Sequence, residues 1–120
     1  MSEIKYLESH EWYIENDGVL TIGISEYAQG ELGDIVFVTM PEVNSVFTQG
    51  SPVVELEATK TIAEVYAPFD CTVVEVNESL DTGPELINSD PLGAGWIYKA
   101  SLENYSDVGM SESEYKEFTE

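Results

Sequence analysis

The chain has 120 residues and a formal net charge of −20 at pH 7, because 24 acidic residues face only four basic ones, all lysines. Nucleic acids and anionic membranes would repel such a chain, since both are bound largely through Lys and Arg. The length is ordinary for one domain with its own hydrophobic core, so we expect a single domain over residues 1–120.

Two reactive residue types occur once each, which excludes several kinds of site. Cys71 is the only cysteine, so an intrachain disulfide and a cysteine metal cluster are excluded. His10 is the only histidine, so a Ser–His–Asp triad would have to use it. The sequence has no apolar stretch of membrane-spanning length and no leader-like N-terminus, and we therefore expect a cytoplasmic protein.

Short runs rich in Val, Ile, Thr and aromatic residues recur along the chain and are typical of β-strands. Asp17-Gly18 lies between the first two runs and predicts a hairpin there. So many short strands predict an all-β sandwich or barrel. In chain order, the predicted strands are 12–14, 19–24, 35–40, 53–57, 61–66, 72–76 and 96–100.

Two short helical segments accompany the predicted strands. Ser25 can cap a turn through 26–29, because its hydroxyl can accept a backbone N–H. Ser111 and Glu114 have the spacing of a capping box and predict a helix through 115–118, with an earlier turn over 102–105. The expected fold class is all-β with short helices and a C-terminal helical tail.

Lys60 lies between predicted strands 53–57 and 61–66, at or near the tip of a hairpin. It could be a solvated lysine. It could also be a Schiff-base or general-base lysine, which would require burial to lower its pKa. A third interpretation is a carrier lysine in amide linkage to lipoate or biotin, which requires an exposed amine on rigid strands.

The order and spacing of several segments resemble the glycine cleavage H-protein family, whose members are lipoyl carriers. The resemblance covers residues 6–118 and implies a barrel-sandwich hybrid of the lipoyl-domain type, with lipoate attached to Lys60. The matching segments are 9–12 (SHEW), 23–29 (GISEYAQ), 32–38 (LGDIVFV), 41–43 (PEV), 57–60 (EATK), 66–68 (YAP), 74–77 (VEVN) and 84–97 (PELINSDPLGAGWI).

The resemblance implies a carrier component and not an enzyme. A pyridoxal-phosphate glycine decarboxylase would load an aminomethyl group onto lipoyl-Lys60, and an aminomethyltransferase would pass its one-carbon unit to tetrahydrofolate. Dihydrolipoyl dehydrogenase would reoxidise the dithiol, and a lipoylating enzyme would attach the arm. Ser9, Glu11 and Glu64 stand where the family places polar contacts to the arm. We expect a monomer that binds neither nucleic acid nor membrane.

Several residues depart from the family pattern. Ala58-Thr59 and Thr61 flank Lys60 where the family commonly has Ser-Val and a small residue, which bears on the efficiency of modification. Glu64 replaces an Asp, so the charge is kept and the reach is longer. Cys71 replaces a glycine after the Ala-Pro pair, where we expect a small apolar residue in a turn, with either backbone strain or a slight shift of register.

The sequence favours structural roles for most of the aromatic residues. We expect His10 to pack beside Trp12 as a structural residue, although it could also form hydrogen bonds near the arm. Tyr27, Phe37 and Trp96, like Trp12, are expected in the core or at its edge.

Two other functions compete with the carrier role. One is a lipoyl relay that donates lipoate to other enzymes, and the other is an unmodified interaction module. An enzyme in its own right is disfavoured, because no nucleophile–base pair surrounds the single histidine. The excess of carboxylates fits either solubility or steering toward basic surfaces of partner proteins.

Overall fold

The computed structural model describes residues 3–119, and its strands form two antiparallel sheets. The strand order is β1-β2-β3-β9-β8-β5 in the larger sheet and β4-β6-β7 in the smaller one. The predicted all-β class with short helices and a C-terminal helix is confirmed. The elements are β1 Lys5–Tyr6, β2 Glu11–Asn16, β3 Val19–Ile24, α1 Glu26–Leu32, β4 Ile35–Thr39, β5 Val46–Phe47, β6 Pro52–Ala58, β7 Ile62–Tyr66, β8 Cys71–Val76, α2 Ser79–Thr82, α3 Leu86–Ser89, β9 Tyr98–Ser101 and α4 Glu112–Thr119.

Side chains from both sheets meet in one hydrophobic core, which includes Leu20, Val73 and Tyr98 from the larger sheet. Strand β6 shows how the smaller sheet contributes side chains to this core. Val54, Leu56 and Ala58 are buried, and the intervening glutamates are exposed. This alternation follows from the period of two along a strand. The smaller sheet therefore turns an acidic face to solvent while its other face closes the core.

The hairpin between β2 and β3 forms as its turn sequence predicts. Asp17 and Gly18 both have positive φ angles, 50° and 81°. Such angles at both central residues define a type I′ turn, whose twist matches that of antiparallel strands. The pairing runs from Asn16 opposite Val19 to Glu11 opposite Ile24. The hairpin thus fixes the position of Glu11 at the far end of β2.

Both predicted caps are confirmed. The Ala28 N–H donates to Ser25 Oγ at 3.1 Å, and α1 continues to Leu32, beyond the predicted 26–29. At α4, the Glu114 N–H donates to Ser111 Oγ at 3.2 Å, and the Ser111 N–H donates to Glu114 Oε1 at 2.9 Å. These reciprocal bonds are the two halves of a capping box.

Other expectations about local structure are wrong. The stretch 102–105 is irregular and contains no helical turn. Cys71 is the first residue of β8, where it pairs with Phe47 of β5, and it is not in a turn. It has no positive φ, so the expected strain is absent. Burial raises the pKa of the Cys71 thiol to about 11, which leaves the thiol protonated at neutral pH.

Gly23 provides a test of the packing between β2 and β3. It lies opposite Trp12, whose buried indole Nε1–H donates to the Pro91 carbonyl at 2.9 Å. A Cβ at position 23 would lie 2.7 Å from Trp12 Nε1, closer than a contact allows. We expect Gly23→Ala to lower the free energy of unfolding by about 1–3 kcal/mol, measured by urea denaturation.

Gly30 in α1 supplies the matched control for the same substitution. A Cβ there would meet no heavy atom within 4 Å. Gly30→Ala should therefore raise the free energy of unfolding by about 0.5–1 kcal/mol, as expected for Gly to Ala inside a helix. Equal effects of the two substitutions would contradict the packing described for Gly23.

Candidate functional site

Lys60 is exposed at the tip of the hairpin that joins β6 to β7, as predicted. The Ala58 N–H donates to the Thr61 carbonyl at 2.9 Å and closes the hairpin. The Thr59 N–H donates to the Asp34 carbonyl at 3.0 Å and ties the tip to the loop after α1. Among the ion pairs within residues 3–119, none involves Lys60. A primary amine is thus presented on a rigid support, which suits covalent attachment.

Gly33 allows the Lys60 hairpin to lie close to the end of α1. Its φ is 81°, in the left-handed region that favours glycine. A Cβ at this position would lie 3.3 Å from Thr59 Oγ1 and 3.6 Å from Lys60 Cδ and Cε. The aliphatic part of Lys60 therefore lies over the backbone of Gly33, next to the helix that forms one wall of the neighbouring cleft.

A cleft of about 320 Å³ lies between the 9–11 segment, helix α1 and strand β7. Ser9, Glu11 and Glu64 all line it, so the structure brings together the three residues proposed to contact the arm. Apolar side chains from α1 and the smaller sheet, among them Leu32 and Val65, form much of the remaining lining. The cleft thus combines an apolar surface with a few polar groups, as small-molecule sites commonly do.

Glu11 is the buried polar group of this cleft, with 2% of its surface exposed. Its carboxylate accepts a hydrogen bond from the Ser9 hydroxyl and another from the Tyr66 N–H, the latter at 3.2 Å. Burial raises the pKa of Glu11 above its ordinary value, although the bonds from Ser9 and Tyr66 oppose this effect. A nearby cation would favour the ionised form of such a desolvated carboxyl group.

Ser9 and Glu64 differ from Glu11 in their exposure. Ser9 is exposed, and its hydroxyl orients one carboxylate oxygen of Glu11. Glu64 is exposed at the rim of the cleft, opposite Glu55 of β6 in the strand register. The cleft therefore has one buried carboxylate and one solvated carboxylate on different walls.

The aromatic residues correct several sequence-based expectations. Trp12 is buried and Trp96 is half-buried, as predicted, whereas Tyr27 and Phe37 are 42% and 54% exposed. His10 packs against Tyr27, with 4.9 Å between ring centroids, and against the aromatic residues of α4. Its expected packing beside Trp12 is therefore wrong.

Sequence reasoning missed the part of α1 that lines the cleft. Tyr27, Ala28, Glu31 and Leu32 all contribute to the lining. Their spacing of i, i+1, i+4 and i+5 places them on one helix face, so a longer helix predicted after Ser25 would have identified them.

Comparisons with known proteins agree with this geometry. The model of the family "Glycine cleavage H-protein" matches residues 4–120. The chain belongs to the glycine cleavage H-protein family. A relative from Thermotoga maritima, a glycine cleavage system H protein, is 45% identical over 116 residues, which cover 95% of this chain and 94% of the relative. One from Acinetobacter baumannii with the same description is 47% identical over 118 residues, which cover 96% and 94%.

A solved structure extends the agreement to the fold. The crystal structure of a glycine cleavage system H protein from Mycobacterium marinum superposes with a TM-score of 0.89 at 34% identity, covering 98% of this chain and 96% of that chain. Membership of the H-protein family confirms the fold and the function expected from the sequence, that of a lipoyl carrier in glycine cleavage. The modified lysine and the arm contacts stay predictions.

No helix within residues 3–119 has the length and apolar character needed to cross a bilayer. The same residues contain no group of three or more His, Cys, Asp or Glu side chains arranged to hold a metal ion.

The raised pKa of Glu11 predicts a specific pH dependence of stability. Because the folded-state pKa lies above the ordinary 4.5, this group stabilises the fold fully below about pH 4.5, and that contribution is lost as pH rises through the folded-state value. Gln cannot ionise and keeps an oxygen for the Tyr66 N–H. We expect the free energy of unfolding of Glu11→Gln, relative to the unsubstituted chain, to rise between pH 4 and pH 8 in urea titrations. A difference independent of pH would contradict the desolvated state of Glu11.

Proposed function

We propose that residues 1–120 form a single lipoyl-carrier domain that holds lipoate in amide linkage on Lys60. In this proposal it carries an aminomethyl group from glycine decarboxylase to aminomethyltransferase and catalyses no step itself. The observation that carries the proposal is an exposed Lys60 without an ion pair in the described structure, beside a cleft with a buried carboxylate. The attached lipoyl group would supply the dithiol chemistry, and the protein supplies attachment, orientation and protection.

The hairpin supports this role by fixing the point of attachment. Glu64 follows Lys60 by four residues on β7, about 13 Å along a strand. The cleft thus begins within the reach of a long, flexible side chain anchored at Lys60. Slack is confined to the arm, because the hairpin is closed by the Ala58–Thr61 bond and tied to Asp34 through Thr59.

The polar groups of the cleft suit the cargo. An aminomethyl group carries a primary amine that is expected to be cationic. Glu11 would bind this ammonium in a desolvated site, Ser9 would hold Glu11 in orientation, and Glu64 would add a second carboxylate at the rim. Charge-assisted hydrogen bonds of this kind are stronger where water is excluded. Docking in the cleft would therefore slow unproductive loss of the group.

The outer face of the smaller sheet supports docking of partner enzymes. Phe37, Glu57 and Ile62 form one cross-strand row next to Lys60, and both apolar members are more than half exposed, at 54% and 59%. The next row places Glu55 directly opposite Glu64, a like-charge pair that destabilises an isolated sheet. A basic partner surface would relieve this repulsion.

This face suits enzymes that must approach Lys60. The proposed partners are the glycine decarboxylase, the aminomethyltransferase, dihydrolipoyl dehydrogenase and the lipoylating enzyme. Lipoylation removes one ammonium and changes the formal net charge from −20 to −21. We place this carrier in the cytoplasm as a monomer without nucleic-acid or membrane partners.

Modification of Lys60 is the direct test. After co-expression with a lipoylating system, intact mass should show one lipoyl group per chain, and Lys60→Arg should show none. Lys116→Arg, at an exposed position on α4, is the matched control and should keep the adduct. Unmodified protein under these conditions would refute the carrier role and leave the interaction module.

Experiments on the lipoylated protein distinguish a carrier in glycine cleavage from a lipoyl relay. A carrier should support glycine-dependent exchange of CO₂ when a cognate glycine decarboxylase is added. Lipoylated protein that supports no exchange, yet donates lipoate to other enzymes, would establish the relay instead.

Glu64 provides a test of arm docking with a matched control. We expect Glu64→Gln to speed loss of the aminomethyl group from the loaded protein by roughly twofold to fivefold, as for an ion pair at a partly exposed site. The rate of this loss is measured from the release of ammonia or formaldehyde. Glu55→Gln removes the carboxylate directly opposite on β6, which does not line the cleft. Equal loss rates in the two variants would remove Glu64 from the site.

A further inference from the structure

Tyr115 of helix α4 does not line the cleft, yet its hydroxyl contacts one residue of the 9–11 wall and the residue that caps the α1 wall. Tyr115 Oη lies 2.6 Å from His10 Nδ1 and 2.7 Å from Ser25 Oγ. His10 lies between Ser9 and Glu11, and Ser25 is the N-cap of α1. One buried hydroxyl therefore joins the segment that carries the polar groups to the helix that faces them.

The 9–11 wall depends on an unfavourable backbone conformation. His10 has a φ of 74°, in the left-handed region that side chains other than glycine rarely adopt. The His10 N–H donates to the Leu7 carbonyl, and the Leu7 N–H donates to the Glu11 carbonyl, both at 2.9 Å. Such a conformation persists only where the surroundings hold it. Tyr115 supplies a hydrogen bond to the His10 side chain, beside the ring contacts of His10 with Tyr27 and Phe118.

The α1 wall is linked to the same atoms. The Ser25 N–H donates to the His10 carbonyl at 2.9 Å. Ser25 Oγ accepts the Ala28 N–H, which leaves the Ser25 hydroxyl proton free to be donated to Tyr115 Oη. Tyr115 can then donate its own proton to His10 Nδ1. With these donors and acceptors, every donor in the series of hydrogen bonds from the Ala28 N–H to His10 Nδ1 has a partner.

Helix α4 is anchored well enough to act as a support. The ring of Tyr115 stacks on that of Tyr6, with centroids 4.7 Å apart and planes inclined by 10°. The Tyr6 N–H and the Met110 N–H each donate to the other residue's carbonyl, at 2.9 and 2.7 Å, just before α4 begins. The ring of Tyr115 is thus packed against β1 of the larger sheet.

We propose that Tyr115 is a positioning residue for the carrier cleft, and that α4 acts through it to set the spacing between the 9–11 segment and α1. This inference rests on the proposed function, because it concerns the same cleft. Loss of the hydroxyl frees the left-handed turn at His10. Ser9 and Glu11 then lose their orientation toward the cargo amine, although the hydrogen bonds of the Tyr115 hydroxyl go to His10 and Ser25.

The test compares Tyr115→Phe with Tyr6→Phe, which removes the other hydroxyl of the same aromatic stack. In the unmodified protein, Tyr115→Phe should speed amide hydrogen exchange at His10 and Ser25 by about fivefold, the factor that one net hydrogen bond provides. The Ile97 N–H, bonded to the Ile22 carbonyl at 2.8 Å, is the internal reference and should be unchanged. Tyr6→Phe should not selectively speed amide hydrogen exchange at either His10 or Ser25.

The lipoylated forms supply the second measurement. Tyr115→Phe should lose its aminomethyl group several-fold faster than Tyr6→Phe. Equal acceleration at His10, Ser25 and Ile97 would indicate a general loss of stability and overturn the proposal. Selective acceleration without faster loss of the group would overturn it as well. Failure to lipoylate Lys60 would refute the proposed function instead, while the exchange measurement would still decide whether Tyr115 fixes the cleft walls.

Discussion

The carboxylate of Glu11 joins the two sheets at the place where the cleft forms. It lies at the start of β2 in the larger sheet and accepts the N–H of Tyr66 at the end of β7, an edge strand of the smaller sheet. An unpaired edge N–H would otherwise face either solvent or a second chain. The same carboxylate is available to a ligand in the cleft, so the contact that orients the sheets also supplies the charge of the candidate site.

The position of Lys60 depends on this contact through β7. Because β6 and β7 are one hairpin, fixing the end of β7 against Glu11 also fixes the direction in which the tip projects. The tip is held at its other side by Asp34 and Gly33 after α1. Lys60 and the cleft are therefore held by one rigid part of the fold. A long arm attached at Lys60 would be the only mobile part between them.

Features set by neighbours in sequence could be predicted from the sequence. The Asp17-Gly18 turn, the Ser25 cap, the Ser111–Glu114 capping box and the Lys60 hairpin all rest on short-range chemistry. Features set by contacts distant in sequence could not. Glu11 is hydrogen-bonded to the N–H of Tyr66, 55 residues away, and His10 is hydrogen-bonded to the hydroxyl of Tyr115, 105 residues away. The strand position of Cys71 is hidden in the sequence because its partner strand, which pairs Phe47 with Cys71, has only two residues.

A buried carboxylate at this position implies a compromise between stability and function. Burial raises the pKa of Glu11, so ionisation of this group opposes folding, and an uncharged side chain of the same shape would relieve that cost. Ionised Glu11 is nevertheless the form that a cationic cargo requires. Two hydrogen bonds, from the Ser9 hydroxyl and the Tyr66 N–H, hold the carboxyl group in place and favour its ionised form. If the proposed docking holds, an ammonium entering the cleft would recover the free energy lost in keeping this charge poorly solvated, and the site would then prefer the loaded arm over the empty one.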